Sequence, residues 1–332
     1  MAEHKGVMIF GEISEGKLAP TASELLGCGR KLADALGEEL CAVLAGNDTN
    51  ELAADAIAFG ADKVYLVDDP LLKDPESEIC TLVLEKIAKE LMPAIILMGQ
   101  TSLGRDIAPR LAFRLKTSAS LDCIGLDIDP DSKLLEQTRP VYGGNAQAVF
   151  VNKAYPQIAT TRAKVMTPLT RDDSRRGEVI NIAADLDPKA IKTRILEKIT
   201  EEVSGIKLED ASVIISGGRG IGSAEGFKEL EKLAVLLDGT VGASRPPCDN
   251  EWISDNRQVG LTGKIVTPDL YIAIALSGSS QHMSGCSGAK NIVAINRDPE
   301  ANIFKDARFG VIGDWKKILP AFTEKVKELL NN

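Results

Sequence analysis

The stretch Ala211-Ser212-Val213-Ile214-Ile215-Ser216-Gly217-Gly218-Arg219-Gly220 decides the fold of the last third of the chain. Here a short apolar run ends in a glycine-rich turn, and a sequence with helical spacing follows. Runs of this length, rich in Val, Ile and Ala without strict alternation, are typical of strands buried on both faces. Helical stretches separate most such runs, so we predict a doubly wound parallel sheet. Four further runs show the same pattern: Gly239–Ala243, Leu270–Leu276, Asn291–Ile295 and Phe309–Gly313.

Polar residues follow these predicted strands, and we expect them to converge. The carboxyl ends of parallel strands open on one edge of the sheet, and ligands bind there. Backbone N–H groups of glycine and serine at helix starts suit a phosphate, and an arginine can hold a phosphate with two hydrogen bonds. The sequence therefore predicts a crevice for a large phosphorylated cofactor. Its expected lining is Ser216, Arg219, Ser244, Arg245, Ser277, Gln281, His282, Asn296 and Asp314.

Each of these residues also has a purely structural interpretation. A glycine-rich turn after a strand is often only a tight turn. His282 is either satisfied by backbone near a helix start or a donor to an electron-rich ring. Arg245 either forms a surface salt bridge or is a cation held over a cofactor. Asn296 and Asp314 suit ribose hydroxyls but also occur as ordinary turn residues. The mixture of hydroxyls, glycine, amide and imidazole in Ser277–His282 favours a ligand.

The first part of the chain predicts a second α/β domain, because apolar runs alternate with helical stretches. We assign residues 1–202 to this domain, 203–207 to a linker and hinge, and 208–332 to the C-terminal domain. Residues 167 to 202 are charge-rich and predict an excursion that leads to the linker. Predicted strands are Gly6–Ile13, Glu39–Ala45, Lys63–Val67 and Ala94–Met98, and predicted helices are Ala22–Leu36, Asn50–Phe59, Ser77–Leu91 and Leu103–Leu115. Three shorter stretches predict added antiparallel strands: Leu134–Arg139, Asn145–Val151 and Gln157–Arg162.

Composition limits the class of function. The chain has 332 residues, 44% of them hydrophobic, and a net charge of −9, which argues against a nucleic-acid binder. No apolar run approaches the ~18 residues of a membrane span, and no signal-peptide core is present, so we expect a cytoplasmic protein. Six cysteines without a CxxC pair predict buried thiols. With only two histidines in the chain, this pattern argues against a zinc or iron–sulfur site. No nucleophile–histidine–acid pattern occurs, so the second domain is predicted to hold a cofactor.

Five linked motifs resemble one family. They are Ser216–Gly220, Val241-Gly242-Ala243-Ser244-Arg245, Gln258-Val259-Gly260-Leu261-Thr262-Gly263-Lys264, Ser277-Gly278-Ser279-Ser280-Gln281-His282 and Ile292-Val293-Ala294-Ile295-Asn296-Arg297-Asp298-Pro299. Their order and spacing resemble the FAD domain of the electron transfer flavoprotein α subunit. The N-terminal domain, with Leu103-Gly104-Arg105-Asp106, also looks like that family, so the resemblance covers nearly the whole chain.

The resemblance implies that FAD lies extended across the second domain. Positions that match contacts to phosphates, ribose or adenosine are Arg219, Ser277, Gln281, Asn296 and Asp314. Positions that match the surroundings of the isoalloxazine ring are Ser244, Arg245, Gln258, Val259, Gly260, Leu261, Thr262 and His282, while Gly278, Ser279 and Ser280 complete the cofactor loop. Thr262 is expected near N5, His282 near the N1–O2 edge and Arg245 over the ring. Leu261 departs from the family, which often has glutamine there.

By resemblance, the chain pairs with a β subunit and carries electrons between flavin dehydrogenases, such as acyl-CoA dehydrogenases, and an acceptor. One alternative is the α subunit of an NADH-oxidising, electron-bifurcating complex, in which the β subunit binds a second FAD. Another is a nucleotide-binding regulatory protein, against which Arg245, Thr262 and His282 argue. The N-terminal domain is expected to hold the β subunit and to bind no nucleotide, because its glycine pattern is weak.

Overall fold

The structure, a computed structural model, describes residues 4–47, 49–144, 146–187, 191–193, 195, 197 and 206–330. The chain divides into two compact units. One consists of Met1–Val141 and Gln147–Lys198, and the other of Tyr142–Ala146 and Ile199–Asn332. The predicted hinge at 203–207 falls largely outside the described residues, since only Ile206 and Lys207 are described there, and the predicted domain limits stay a prediction.

The N-terminal unit is built on a mainly parallel sheet of seven strands in the order β12-β5-β4-β1-β6-β11-β7. A second, three-stranded sheet has the order β10-β9-β8, and β2 pairs with β3 in an antiparallel manner. The strands are β1 Val7–Gly11, β2 Ile13–Ser14, β3 Lys17–Leu18, β4 Leu40–Gly46, β5 Lys63–Asp68, β6 Ile95–Gly99, β7 Ala119–Cys123, β8 Gly125–Ile128, β9 Leu135–Val141, β10 Ala146–Val151, β11 Gln157–Thr161 and β12 Glu178–Asn181. The helices are α1 Pro20–Leu36, α2 Leu52–Ala58, α3 Ser77–Leu91 and α4 Ser102–Arg114.

Alternate side chains of β1 point to opposite faces of this sheet, and each set packs in a separate hydrophobic core. Val7 and Ile9 pack with residues of α1 on one face, whereas Met8 and Phe10 pack with α3 and α4 on the other. Both sets are fully buried, as expected for a strand covered by helices on two sides. The predicted parallel α/β architecture with added antiparallel strands is therefore confirmed.

The structure corrects one predicted strand. β11 is a buried inner strand of the large sheet, parallel to both β6 and β7, and not an added antiparallel strand. The polar residues of β11 made its sequence look like that of a half-exposed strand. In the structure, however, these polar side chains form hydrogen bonds inside the protein. Gln157 accepts the Leu135 N–H at 3.0 Å and donates to the Asn152 carbonyl, and the Thr160 hydroxyl bonds Gln100. β7, β8 and β12 lie in stretches where we predicted no strand.

The C-terminal unit contains a five-stranded parallel sheet in the order β14-β13-β15-β16-β17. This confirms the predicted doubly wound sheet, because the first strand along the chain lies between the second and the third. The strands are β13 Val213–Gly217, β14 Thr240–Ala243, β15 Leu270–Ile274, β16 Ile292–Asn296 and β17 Phe309–Ile312. The helices are α5 Ala224–Leu236, α6 Arg245–Asp249, α7 Ser280–Cys286, α8 Ile303–Asp306 and α9 Trp315–Leu330.

Helices cover both faces of this sheet. Residues of α5 and α9, among them Phe227 and Trp315, pack against Ile215 and Ile272 in one core. Residues of α7 and α8 pack against Ile214 and Tyr271 in the other core. The Ser223 side chain accepts the Gly226 N–H at 3.4 Å and so caps the N-terminus of α5. Pro320 lies inside α9, and the helix continues through it.

All six cysteines are unpaired thiols, and only Cys41 is not fully buried. Burial raises the pKa of Cys28 to about 11 and that of Cys80 to about 12. The buried thiols stay protonated at neutral pH and are therefore poor nucleophiles and metal ligands.

Candidate functional site

A crevice of about 620 Å³ opens at the carboxyl ends of the strands in the C-terminal unit. The chain adds β14 on one side of β13 and then β15 on the other side, so the strand order reverses between β13 and β15. The loops after both of these strands line the crevice. Ligands of doubly wound sheets bind at such a switch point, since the two loops diverge there and leave a gap. The volume lies within the usual range for sites that bind small molecules or cofactors.

All but three of the predicted site residues line this crevice. Ser216 does not, because it is fully buried within β13. Ser280 does not; it is the first residue of α7. Asp314 lines a neighbouring cavity of about 180 Å³, which shares Gly220, Ala275, Asn296 and Arg297 with the crevice. The predicted residues that line the crevice are Arg219, Ser244, Arg245, Gln258, Val259, Gly260, Leu261, Thr262, Ser277, Gly278, Ser279, Gln281, His282 and Asn296.

The structure adds lining residues that the sequence analysis did not select. Arg297 and Asp298 directly follow β16, so the argument from strand ends could have found both. Ala275 directly follows β15 and has a φ of 52°. This left-handed conformation is one that an alanine does not indicate in the sequence. Such a backbone turns the chain sharply into the Ser277–Gln281 loop. The other additions are Gly220, Pro246, Leu276 and Ala301.

The glycine-rich turn after β13 is pressed against the end of β15. A Cβ atom on Gly218 would lie 2.2 Å from the Ala275 carbonyl oxygen, and one on Gly220 would lie 2.9 Å from the Ala275 Cβ. No side chain fits at Gly218. The turn therefore needs glycine for close approach, and it carries Arg219 to the crevice between these two contacts.

The loop of residues 258–264 is fixed onto α7 by backbone contacts. Leu261 N–H donates to the Gln281 carbonyl at 2.7 Å, and a Cβ on Gly285 would lie 2.3 Å from the Gly260 nitrogen. Within the loop, Gln258 Nε2 donates to the Thr262 hydroxyl at 2.9 Å. The Leu261 side chain is 67% exposed, so this position contributes its backbone to the loop geometry. The two segments form one rigid wall.

His282 is held as a neutral ring. Its Nδ1 lies 3.0 Å from the Val259 carbonyl oxygen, which can only accept, so Nδ1 carries the hydrogen. Nε2 is then an acceptor, and the buried Tyr271 hydroxyl donates to it at 2.9 Å. Burial lowers the pKa of His282 to about 4, although the bond to Val259 opposes that shift. The interpretation in which backbone satisfies His282 therefore holds. The ring also lines the crevice, but its one N–H is used by the Val259 carbonyl and is not available to donate to a cofactor.

Asn296 joins two loops of the crevice. Its Nδ2 donates to the Leu276 carbonyl at 2.6 Å, and its Oδ1 accepts the Asp298 N–H at 3.0 Å. The side chain is buried at the end of β16. It therefore holds the loops after β15 and β16 at a fixed separation.

The lining is rich in cations and in hydrogen-bond donors. It contains three arginines, Arg219, Arg245 and Arg297, and a single carboxylate, that of Asp298. The Arg245 Nε also donates to the Asp249 carboxylate at 3.2 Å, so this residue forms a salt bridge and lines the crevice. Serine hydroxyls and the first amides of α7, which have no partner inside the helix, add donors. This donor set fits a dinucleotide cofactor with a charged pyrophosphate and polar ribose groups.

The fold and the crevice together define a nucleotide-cofactor-binding α/β protein. A family model described as "Electron transfer flavoprotein domain" matches residues 7–187, and one described as "Electron transfer flavoprotein FAD-binding domain" matches residues 207–287. The chain belongs to the electron transfer flavoprotein family, as an α subunit, and its cofactor is FAD.

Similar proteins span the whole chain. The electron transfer flavoprotein subunit alpha of Thermoanaerobacterium thermosaccharolyticum is 47% identical, with 99% of this chain and 100% of the relative aligned. The same subunit of Megasphaera elsdenii is 43% identical over 99% and 98% of the two chains. Protein FixB of Azorhizobium caulinodans is 40% identical over 99% and 90%.

None of the described helices has both the length and the apolar character required to cross a membrane. Across the described part of the chain, no cluster of three or more His, Cys, Asp or Glu is arranged to hold a metal ion.

Proposed function

We propose that this electron-transfer subunit holds FAD in the crevice between β13 and β15, pairs with a β subunit, and passes electrons between a flavin dehydrogenase and an acceptor. The observation that carries the proposal is the position of the crevice, at the switch point of the FAD-binding domain, with arginines and hydroxyl loops around it. An acyl-CoA dehydrogenase is the donor class that we propose. A cytoplasmic location stays a prediction.

The phosphate and adenosine part of FAD is assigned to one end of the crevice. Arg219 and the Ser277–Gln281 loop supply charge and N–H or hydroxyl donors for the phosphates. Asp314 lines the small neighbouring cavity and is assigned to a ribose or adenosine contact. Asn296 lies between the two cavities, and its own hydrogen bonds give it a second role in setting the loop separation.

The ring part of FAD is assigned to the wall formed by residues 258–264, Ser244, Arg245 and His282. When bound, FAD supplies reversible one- and two-electron chemistry at its isoalloxazine ring. A positive charge near a ring that gains negative charge favours the reduced form. Because His282 is neutral at pH 7, Arg245 is the cation that we assign to this effect.

The exchange of partners requires motion that the crevice itself does not supply. We propose that the C-terminal unit moves as a body about the segment 203–207, of which Val203 to Gly205 lie outside the described residues. We also propose that the N-terminal unit provides the main contact with the β subunit. Loading and unloading electrons at different partners is the reason for such a hinge.

The experiment that tests the proposal is coexpression of the chain with its β subunit, followed by flavin analysis of the purified complex. One FAD per heterodimer, reduced by a dehydrogenase and unaffected by NADH, is the expected result. Two FAD molecules and rapid bleaching by NADH would assign the chain to a bifurcating complex. A colourless complex would overturn the proposal and favour a regulatory protein.

A pair of variants tests the placement of FAD. Arg219→Gln removes a charge from the crevice, and we expect at least tenfold weaker FAD binding, because an arginine–phosphate contact is a charge-assisted hydrogen bond. Arg110→Gln is the matched control: it removes an arginine from α4 that pairs with Asp106 in the N-terminal unit. Equal FAD affinity in both variants would refute the assignment of Arg219.

A further inference from the structure

The first residue of α9, Trp315, reaches back to the glycine-rich turn after β13. Its indole Nε1–H donates to the Gly220 carbonyl at 3.1 Å, and the residue is only 8% exposed. A Cβ on Gly226, in the first turn of α5, would lie 3.3 Å from the Trp315 Cη2. Trp315 also belongs to the hydrophobic core that contains Ile221, the residue after Gly220. Packing therefore fixes the indole, and its single polar group is bound to the turn.

This hydrogen bond joins the ends of two strands that are not neighbours in the sheet. β15 and β16 lie between β13 and β17, so the two strands are about 14 Å apart. Backbone hydrogen bonds in this region connect adjacent strands, as the Gly313 N–H does when it donates to the Asn296 carbonyl at 2.9 Å. The large side chain of Trp315 makes the longer connection, and Gly220 and Trp315 both line the small cavity beside the crevice. The bond therefore closes one wall of that cavity.

The bond also restrains Arg219, which lies between Gly218 and Gly220. Four of the six residues 217–222 are glycines, and glycine has more backbone freedom than any other residue, so the surroundings must hold this turn in place. They hold it on both sides of Arg219. The Gly218 N–H donates to the Ile274 carbonyl at 2.9 Å, and the Gly220 carbonyl accepts the Trp315 indole N–H. A binding group that is fixed in this way loses less conformational freedom when a ligand binds.

We propose that Trp315 is a positioning residue for FAD: its indole N–H holds the glycine-rich turn and thereby fixes Arg219 for the phosphate groups. This inference rests on the proposed function, in which Arg219 binds those phosphates. Trp315 acts through the turn and needs no contact with the cofactor for this role. Asp314, the residue before it, lines the small cavity assigned to the adenosine end. One short segment after β17 therefore serves both the adenosine end and the phosphate end of the site.

FAD release from the loaded heterodimer tests this inference with a matched pair of variants. Trp315→Phe keeps an aromatic ring in the core and removes the indole N–H. Trp252→Phe is the control, because Trp252 packs partly buried against the same core and lines neither cavity. We expect Trp315→Phe to release FAD about fivefold faster and to bind it about fivefold more weakly, which is the effect of one neutral hydrogen bond. Trp252→Phe should behave like the wild type.

A second replacement separates the hydrogen bond from the packing of the ring. Benzothienylalanine at position 315 keeps the two fused rings and has sulfur in place of the indole N–H, so the core stays filled. It should reproduce the faster release of FAD. The midpoint potential of the bound flavin should stay that of the wild type, because the ring of FAD is assigned to a different part of the crevice.

A double variant shows whether Trp315 acts through Arg219. In that case Trp315→Phe has little further effect on FAD binding once Arg219→Gln is present, since the two changes remove one shared interaction. Additive losses would overturn the inference, and so would wild-type release of FAD by the benzothienylalanine protein. Either result would leave the proposed function intact. If Arg219→Gln alone left FAD binding unchanged, the placement of FAD in the proposed function would be refuted, and this inference with it.

Discussion

Lowering the pH from 7 to 4 should destabilise the C-terminal unit through one residue, His282. Burial lowers the pKa of the folded imidazole to about 4, whereas an unfolded histidine titrates near about 6.5. Between these values the unfolded chain binds more protons than the folded chain, so stability falls as the pH falls. The contribution is complete above pH 6.5 and is lost by pH 4.

The magnitude follows from the difference between the two pKa values. At about 1.4 kcal/mol for each tenfold change in proton affinity, the folded-state pKa of about 4 for His282 gives a loss of about 3 kcal/mol across this pH window. The cause is the low polarity around a ring that packs beside Tyr271 and hydrogen-bonds the Val259 carbonyl. A proton on Nε2 would also oppose the donated Tyr271 hydrogen.

The assay compares urea unfolding of wild type and His282→Asn at pH 7 and pH 4.5. Asparagine can still donate to the Val259 carbonyl but does not titrate. The wild type should lose about 2–3 kcal/mol more than the variant. Isotope-labelled histidine adds a direct measurement, since the chain contains two histidines. Titration of His282 near pH 6.5, or equal pH dependence in both proteins, would refute the reasoning.

Three further predictions concern single side chains. Tyr271→Phe leaves the His282 Nε2 without its donor, so the free energy of unfolding at pH 7 should fall by about 1–3 kcal/mol in urea titrations. Burial raises the pKa of Glu24 to about 6, so its charged form opposes folding as the pH rises through 4.5–6. Glu24→Gln should therefore raise the melting temperature at pH 7 but not at pH 4.5. The absence of a gain at pH 7 would contradict this prediction. Arg245→Ala should lower the midpoint potential of the bound flavin by on the order of 100 mV in spectroelectrochemistry, with Arg110→Ala as control, and an unchanged potential would remove Arg245 from the ring environment.

The sheet of the C-terminal unit was predictable because its strands are simple. All five apolar runs correspond to strands, since each is short, apolar and followed by a polar loop. The prediction for β11 was wrong because this strand is buried but contains polar residues. Gln157 and Thr160 are buried, but their partners Leu135, Asn152 and Gln100 lie 5 to 60 residues away along the chain. The periodicity of a sequence shows which residues are polar. It does not show whether a residue far away along the chain forms hydrogen bonds with those side chains inside the protein.

The sequence predicted most of the residues that line the candidate site, but it did not predict the protonation state of His282 or the backbone turn at Ala275. Topology forces strand ends together, so residues after β13, β15 and β16 meet whatever their details. Burial lowers the pKa of His282, and its Nε2 accepts a hydrogen bond from Tyr271, which looks like an ordinary core residue of a strand. The left-handed turn at Ala275 has no sequence pattern that indicates it. Both features arise from packing that a local pattern cannot describe.

The hydrogen bonds of the crevice bear on how an electron carrier can work. Leu261 is tied to Gln281, Asn296 to Leu276, and His282 to Val259, so the proposed cofactor loops are fixed to one another through backbone groups. A wall held in this way loses little conformational freedom when a cofactor binds and needs little rearrangement when the charge of that cofactor changes. A rigid site cannot itself change partners. We propose that the motion required for electron exchange occurs about the segment 203–207, and we expect that stiffening this segment slows exchange while leaving FAD binding unchanged.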